Sequence, residues 1–97
     1  MNSTFETQKH VEHWLANSDD DYETMMAVYQ ARKYNWSLFI GHLVIEKLLK
    51  ALYVSLNNES PPYIHNLVRL AQQTGLEIDD DLLNDLTTIS AFNINAR

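Results

Sequence analysis

Apolar residues along this chain recur with the period of an α-helix and nowhere alternate with the period of a β-strand. In the first third of the chain they return at steps of three and four, with Ser18 on the same line: Val11, Trp14, Leu15, Tyr22, Met25, Met26 and Tyr29. The phase continues through the polar sequence NSDDD that begins at Asn17. We therefore predict one long helix over residues 5–33 rather than two short ones.

Three more helices are predicted along the rest of the chain. The second covers residues 35–56, because Asn35 suits an N-cap and the apolar residues keep the helical period. The sequence NNESPPY then stops it, since prolines cannot continue a helix. A third helix covers residues 63–74 before Gly75, and a fourth begins in DDDLLNDL, where the aspartates suit capping. The predicted fold class is all-α, a small up-down helical bundle of four helices.

Length and composition favour one soluble domain that spans residues 1–97. The chain is 45% hydrophobic and 21% charged, with a net charge of −6 and no cysteine. Without cysteine there is no disulfide, thiol nucleophile or cysteine metal site, and the acidic balance argues against general nucleic-acid binding. The N-terminus lacks the pattern of a signal peptide, and no apolar run is long enough to cross a bilayer. We expect a cytoplasmic protein without membrane contact.

The second predicted helix carries a narrow charged line on an otherwise apolar surface. Four polar residues fall within a sector of about 140°: His42, Glu46, Lys47 and Lys50. The rest of the helix is apolar over roughly 200°, about twice what a surface helix needs. The helix is therefore expected to bury two sides, one against other helices and one against a missing helix or a partner chain. We predict a homodimer with this helix at its interface.

Two interpretations of the charged line stay open at this point. One is a solvated face in which Glu46 and Lys50 form a pair worth a few tenths of a kcal/mol, roughly 0.3. The other is a polar strip, reachable by solvent, that contacts a ligand or a partner protein. Both interpretations predict that the line faces water.

Three sequences carry a resemblance to a known family. The first is IGHLVIEKLLKALYV, whose core EKLLKA begins at Glu46. The second is PPYIHNLVRLAQQTGLEI, in which His65 lies inside PYIHNL. The third is the terminal NINAR. The upstream sequence HWLANSDDDYETMMAVYQARKYN echoes an aromatic and acidic pattern of the same family. From about Trp14 to Arg97 the chain resembles a HEPN domain, the small helical domain of prokaryotic nucleotidyltransferase-linked operons and some defence systems.

This resemblance implies a helical bundle, frequent homodimers and pairing with a minimal nucleotidyltransferase as a toxin–antitoxin module. In many members it also implies a metal-independent ribonuclease, which uses an arginine followed by a histidine after four to six intervening residues. Here the positions reached from Arg32 and Arg69 hold no histidine, and Arg97 is the last residue. The family usually continues past such an arginine with a Tyr-Pro step and a further helix, so we expect a short member or a truncated chain.

The candidates for partner or ligand binding are seven residues: His42, Glu46, Lys47, Lys50, His65, Arg69 and Arg97. His65 follows two prolines near a predicted helix start, a position that suits capping, a partner contact or a phosphate. Glu6, His10 and His13 share a helical face but have no fourth ligand for a metal. No catalytic residue, cofactor or metal is assigned.

The sequence favours a non-catalytic HEPN-like binding subunit of a toxin–antitoxin or nucleotidyltransferase-linked system. As a homodimer it would bind a minimal nucleotidyltransferase and contact nucleotide or RNA through that partner. The alternative is a ribonuclease toxin whose Arg–His segment is missing from this chain. A third hypothesis is a helical interaction domain that belongs to no such system.

Overall fold

The computed structural model describes residues 5–91, which form four helices and no strand. The helices are α1 (Thr7–Gln30), α2 (Tyr34–Asn57), α3 (Leu67–Gln73) and α4 (Asp80–Ser90). The all-α prediction is confirmed, and α1 runs without a break through the NSDDD sequence as predicted. None of these helices has the length and apolar character that crossing a membrane requires.

The α1 and α2 helices, 24 residues each, form an antiparallel hairpin with a very short turn. Arg32 adopts a left-handed conformation with φ of 65°. Its backbone N–H donates to the Tyr29 carbonyl at 2.9 Å, and that of Lys33 donates to the Val28 carbonyl at 3.1 Å. These two bonds satisfy carbonyls that the end of α1 would otherwise leave without partners. The chain re-enters a helix at once, so α2 begins at Tyr34, and the prediction of Asn35 as N-cap is wrong.

Small side chains let α1 and α2 approach closely. The buried Ser18 hydroxyl donates to the Val44 carbonyl at 3.0 Å, and the Ser37 hydroxyl donates to the Met25 carbonyl at 3.2 Å. A methyl group placed on Gly41 would stand 3.2 Å from the Met25 sulfur, which leaves little room for a side chain there. At the open end of the hairpin the Thr7 hydroxyl donates to the Asn58 side-chain oxygen.

The third helix is shorter than the sequence predicted. It begins after Asn66, whose side chain accepts a hydrogen bond from the Arg69 backbone N–H at 3.0 Å. The residues from Tyr63 to Asn66 are not helical, because the N-cap fixes the start of the helix after them. Gly75 follows the helix with φ of 90°, a conformation that glycine adopts without steric cost.

The fourth helix begins where the sequence predicted. Asp79 is its N-cap, and the carboxylate accepts from the Leu82 backbone N–H at 2.8 Å. Asp80 and Asp81 lie in the first turn, where negative charge complements the helix dipole. The prediction that this aspartate run serves capping is therefore confirmed.

The long helix α2 lies at the centre of the fold. It packs against α1 on one side and against α3 and α4 on the other, while α1 contacts no other helix among the described elements. The core between α2, α3 and α4 contains Leu67, Ala71 and Leu86, with Ile45 and Leu49 of α2 packed against them. The position of α2 between two layers decides the surroundings of every residue on its charged line.

Replacing Arg32 by glycine is expected to raise the free energy of unfolding by about 0.5 kcal/mol. A left-handed conformation costs an L-residue about 1 kcal/mol, and the greater freedom of glycine in the unfolded chain offsets part of the gain. The matched control is Lys33→Gly, which relieves nothing because Lys33 has φ of −94°. Urea unfolding of both variants measures the difference, and equal effects would contradict a strained Arg32.

Candidate functional site

Glu46 of α2 lies at the centre of a buried cluster of ionisable side chains. Its Oε2 accepts hydrogen bonds from Lys50 Nζ and from His65 Nδ1, each at 3.0 Å. Its Oε1 lies 3.6 Å from Nδ1 of His42. A carboxylate oxygen accepts, so the His65 contact is a hydrogen bond in the tautomer that carries its proton on Nδ1. The structure thus gathers three of the predicted candidates, His42, Lys50 and His65, around the carboxylate of a fourth, Glu46.

Three of these residues are buried, so the prediction that the charged line of α2 faces solvent is wrong for His42, Glu46 and Lys50, while Lys47 stays partly exposed. His42 is 0% exposed, and Glu46 and Lys50 are each 6% exposed. Periodicity showed that these residues share a sector of the helix, but it did not show what covers that sector. The carboxylate and the ammonium of the cluster are each other's counter-charge, and this attraction offsets part of the free energy lost when both are removed from water.

The Lys50 ammonium is flanked by two aromatic rings as well as by Glu46. Its Nζ lies 5.3 Å from the centroid of a Trp14 ring and 6.0 Å from that of Tyr63. Both distances fall within the range of cation–π attraction. Because Trp14 belongs to α1 and Tyr63 to the loop before α3, Lys50 connects three segments of the chain.

The imidazole of His42 is fully buried. Burial lowers the pKa of His42 from its usual value, while the charge of Glu46 and the His65 backbone oppose that change. The His65 side chain adds a smaller lowering. Neither ring nitrogen has an aligned hydrogen-bond partner within the described chain, so Glu46 acts on His42 through its charge at 3.6 Å. At neutral pH we therefore expect His42 to be uncharged.

Lys47 lies outside this cluster. Its Nζ is 2.6 Å from Oδ2 of Asp21 on α1, and both side chains are partly exposed. The Asp21 oxygen has no hydrogen bond of good alignment, so the contact is a close ion pair between α1 and α2. Surface pairs of this kind stabilise a protein by about 0 to 1 kcal/mol.

His65 and Arg69 face different features, although they are only four residues apart. The His65 ring is half-exposed, bonds to Glu46 and packs edge-on against Tyr63, with centroids 5.2 Å apart. Arg69 instead lines a groove of about 410 Å³ between α3 and α4. Arg97 lies outside the described residues.

The cluster around Glu46 is not arranged as a metal site, because the Lys50 ammonium is the cation beside the carboxylate. In residues 5–91 no group of three or more histidine, cysteine, aspartate or glutamate side chains is placed to hold a metal ion. The Glu46 oxygen that approaches His65 is also bonded to the Lys50 ammonium. That oxygen therefore already has a cation beside it.

A separate feature is an apolar groove between α1 and α2 that reaches α4. It encloses about 560 Å³, and no charged residue lines it: Tyr22, Met25, Met26, Tyr29, Ser37, Leu38, Gly41, Val44, Ile45 and Ile89. Along the same face of α2, Leu38 is 42% and Leu48 is 41% exposed. The central helix thus buries Glu46 and Lys50 and leaves part of its apolar surface exposed.

Several residues that contact the predicted candidates were not predicted themselves. Trp14 and Tyr63 flank Lys50, and Asp21 pairs with Lys47. Trp14 lies on the apolar line of α1, which predicted burial but not a partner. The contact of Tyr63 depends on the path of a non-helical loop, for which the helical period gives no signal.

These features define a small all-α domain in which one long central helix carries a buried charged cluster. The chain belongs to the HEPN domain family, whose model matches residues 11–97. The resemblance drawn from the sequence is therefore confirmed over most of the chain. No curated protein and no solved structure matches it.

Replacing Glu46 by glutamine is expected to lower the free energy of unfolding by about 3 kcal/mol. The substitution leaves the Lys50 ammonium buried without its counter-charge, and such a loss costs about 3 to 5 kcal/mol. Urea unfolding measures the change. The control is Lys47→Gln, expected to cost less than about 1 kcal/mol because its ion pair is partly exposed. Equal losses in the two variants would show that Glu46 is not the central support.

The stability of the domain is expected to fall as the pH drops below the ordinary His42 pKa of 6.5. The folded state lowers this pKa, so between 6.5 and the folded value the unfolded chain binds more protons. Stability is therefore fully present above 6.5, declines through that window, and levels off below the folded pKa. In His42→Gln this part of the pH dependence should disappear, whereas the exposed control His10→Gln should keep it. Unfolding by urea at a series of pH values tests the difference.

Proposed function

We propose that this HEPN domain is a non-catalytic binding subunit. In this proposal it forms a homodimer and pairs with a minimal nucleotidyltransferase in a toxin–antitoxin or nucleotidyltransferase-linked system. The observation that carries the proposal is the arrangement of α2, in which Glu46 and Lys50 are buried and paired with each other while leucines of an apolar face stay exposed. A helix arranged in this way serves protein contact better than chemistry.

The buried cluster supports a structural role for its members. General acid–base catalysis needs a group that can reach a substrate and exchange a proton with it. Glu46 and Lys50 are bonded to each other out of solvent, and only His65 of the cluster is half-exposed. In addition, neither Arg32 nor Arg69 is followed by a histidine at the spacing of the family's ribonuclease motif.

The exposed face of α2 supports a second copy of the chain as its occupant. Its exposed residues are Leu38 and Leu48. The partly buried Gly41, Ile45 and Leu52 share that side of the helix, at the three- and four-residue spacing of a helix that packs along another helix. Leu38 and Leu48 are well exposed, and the neighbouring groove contains no charge. Contiguous apolar surface of this kind on a soluble protein marks an interaction site.

The nucleotidyltransferase partner rests on membership of the HEPN family and not on a contact seen in this chain. Any nucleotide or RNA contact would come through that partner, because two lysines, Lys47 and Lys50, already form ion pairs with acidic residues. The predicted role of this lysine pair in partner contact is accordingly less favoured than a role for the exposed apolar face. Purification of the chain together with the cognate nucleotidyltransferase tests the pairing directly.

We expect light scattering at micromolar concentration to give twice the 11.3 kDa mass of one chain. The double variant Leu38→Glu, Leu48→Glu should be a folded monomer, because it places two charges on the proposed interface. The matched control is Leu76→Glu, Leu82→Glu, which adds two charges at leucines of similar exposure, 46% and 45%, and should stay dimeric. A monomeric native chain would exclude the dimer, and a control that dissociates would place the interface elsewhere.

The same protein should not cleave a mixed RNA pool in the presence of a chelator. Cleavage that disappears in His65→Ala would overturn the non-catalytic assignment and favour the ribonuclease alternative. Cleavage that survives in this variant would point to a contaminating nuclease, so His65→Ala is the required control.

A further inference from the structure

The turn between α1 and α2 carries an exposed patch of unusual composition, which we call the tip patch: Arg32, Lys33, Tyr34 and Trp36. All four residues are exposed, and Tyr34 packs against the half-exposed Tyr29, with ring centroids 5.3 Å apart. Arginine, tyrosine and tryptophan are the residues that contribute most often to binding at protein interfaces. Composition alone does not make a site, but two further observations concern this patch.

The first observation is the backbone conformation of Arg32. Three described residues have positive φ: Arg32, Asn58 and Gly75. Glycine and asparagine are the residues that favour this conformation, so Arg32 is the exception among the three. Glycine would close the same turn with less strain, so the backbone conformation gives no reason for an arginine at this position.

The second observation is the charge around the patch. Arg32 and Lys33 are adjacent, and no ion pair within the described chain involves either of them, whereas Lys47 and Lys50 are both paired. The chain as a whole has a net charge of −6. The first turn of α2 contains no acidic residue, and its N-cap position has no side-chain hydrogen bond. The tip is therefore a local cationic surface on an acidic protein, and it complements an anionic partner.

The arrangement of the aromatic rings favours a protein over a single-stranded nucleic acid. Tyr34 is tilted at 60° to Tyr29, and Trp36 meets Phe39 edge-on at 81°, so the rings do not form a parallel platform for successive bases. Two cations also supply few phosphate contacts, and the remaining charge of the chain repels a polyanion. Tyr29 also lines the uncharged groove, which continues the patch with surface suited to apolar side chains.

We propose that the tip patch binds an acidic segment of a partner protein. Carboxylates of that segment would bond to Arg32 and Lys33, and its apolar side chains would pack on Tyr34 and Trp36. The inference rests on the proposed function only in that the chain acts by binding another protein. Trp36 and Leu38 are two residues apart in a helix and so lie on roughly opposite sides of α2. The patch therefore extends beyond the proposed dimer face.

The test uses fluorescein-labelled synthetic probes and fluorescence anisotropy. One probe is a short peptide of Glu, Leu and Tyr, the second carries Lys in place of Glu, and the third is a single-stranded oligouridine. The variants are Arg32→Gly, Trp36→Ala and the control Lys9→Gln, which removes one exposed positive charge from another part of α1. The urea midpoint and the mass by light scattering are measured for each protein.

We expect the acidic peptide to bind and the lysine peptide not to bind. Affinity should fall roughly tenfold in Arg32→Gly and in Trp36→Ala, stay unchanged in Lys9→Gln, and weaken with added salt. For Arg32→Gly the urea midpoint should rise while binding weakens, which a merely structural role for the arginine would not produce.

Three results would overturn the inference: no binding of the acidic peptide, an equal loss of affinity in Lys9→Gln, or tighter binding of the oligouridine, which would assign the patch to nucleic acid. A monomeric mass in the same samples would contradict the dimer but not the tip site. The two proposals therefore fail separately.

Discussion

The buried carboxylate of Glu46 is the constraint on which the arrangement of this domain depends. A carboxylate removed from water is costly unless cations and hydrogen-bond donors surround it. Lys50 meets this need from the next turn of α2, and His65 meets it from the loop before α3. Trp14 then covers the lysine from α1. The Glu46 carboxylate thus positions two segments against α2: the loop before α3 through His65, and α1 through Lys50 and Trp14.

A consequence of this arrangement is that α2 buries charged residues and exposes apolar ones, the reverse of an ordinary surface helix. Glu46 and Lys50 face inward and neutralise each other, and leucines such as Leu38 and Leu48 remain exposed. An exposed apolar face is unfavourable for an isolated chain but suits a protein that acts by association. The paired charges and the uncharged groove beside α1 support the proposed binding role.

The hairpin turn shows a second departure from what stability alone would favour. The turn closes with backbone hydrogen bonds that any residue could make, yet Arg32 occupies the left-handed position instead of glycine. Local rules of structure are most often broken where a side chain has a task of its own. The tip patch and the apolar face are therefore two adjoining surfaces of one hairpin, the first cationic and aromatic, the second uncharged.

The sequence by itself determined the all-α fold, the continuous α1, the capping role of Asp79 and the family, because periodicity, capping and motifs are local properties. It also selected His42, Glu46, Lys50 and His65 as candidates. Only the tertiary structure decided that His42, Glu46 and Lys50 are buried. Periodicity tells which residues share a sector of a helix and not what covers that sector. The loop that carries His65 is not helical, so no period predicted its contact with Glu46. The physical reason is that the burial of a residue depends on which other segment packs against it, whereas the periodicity of a sequence describes each segment separately.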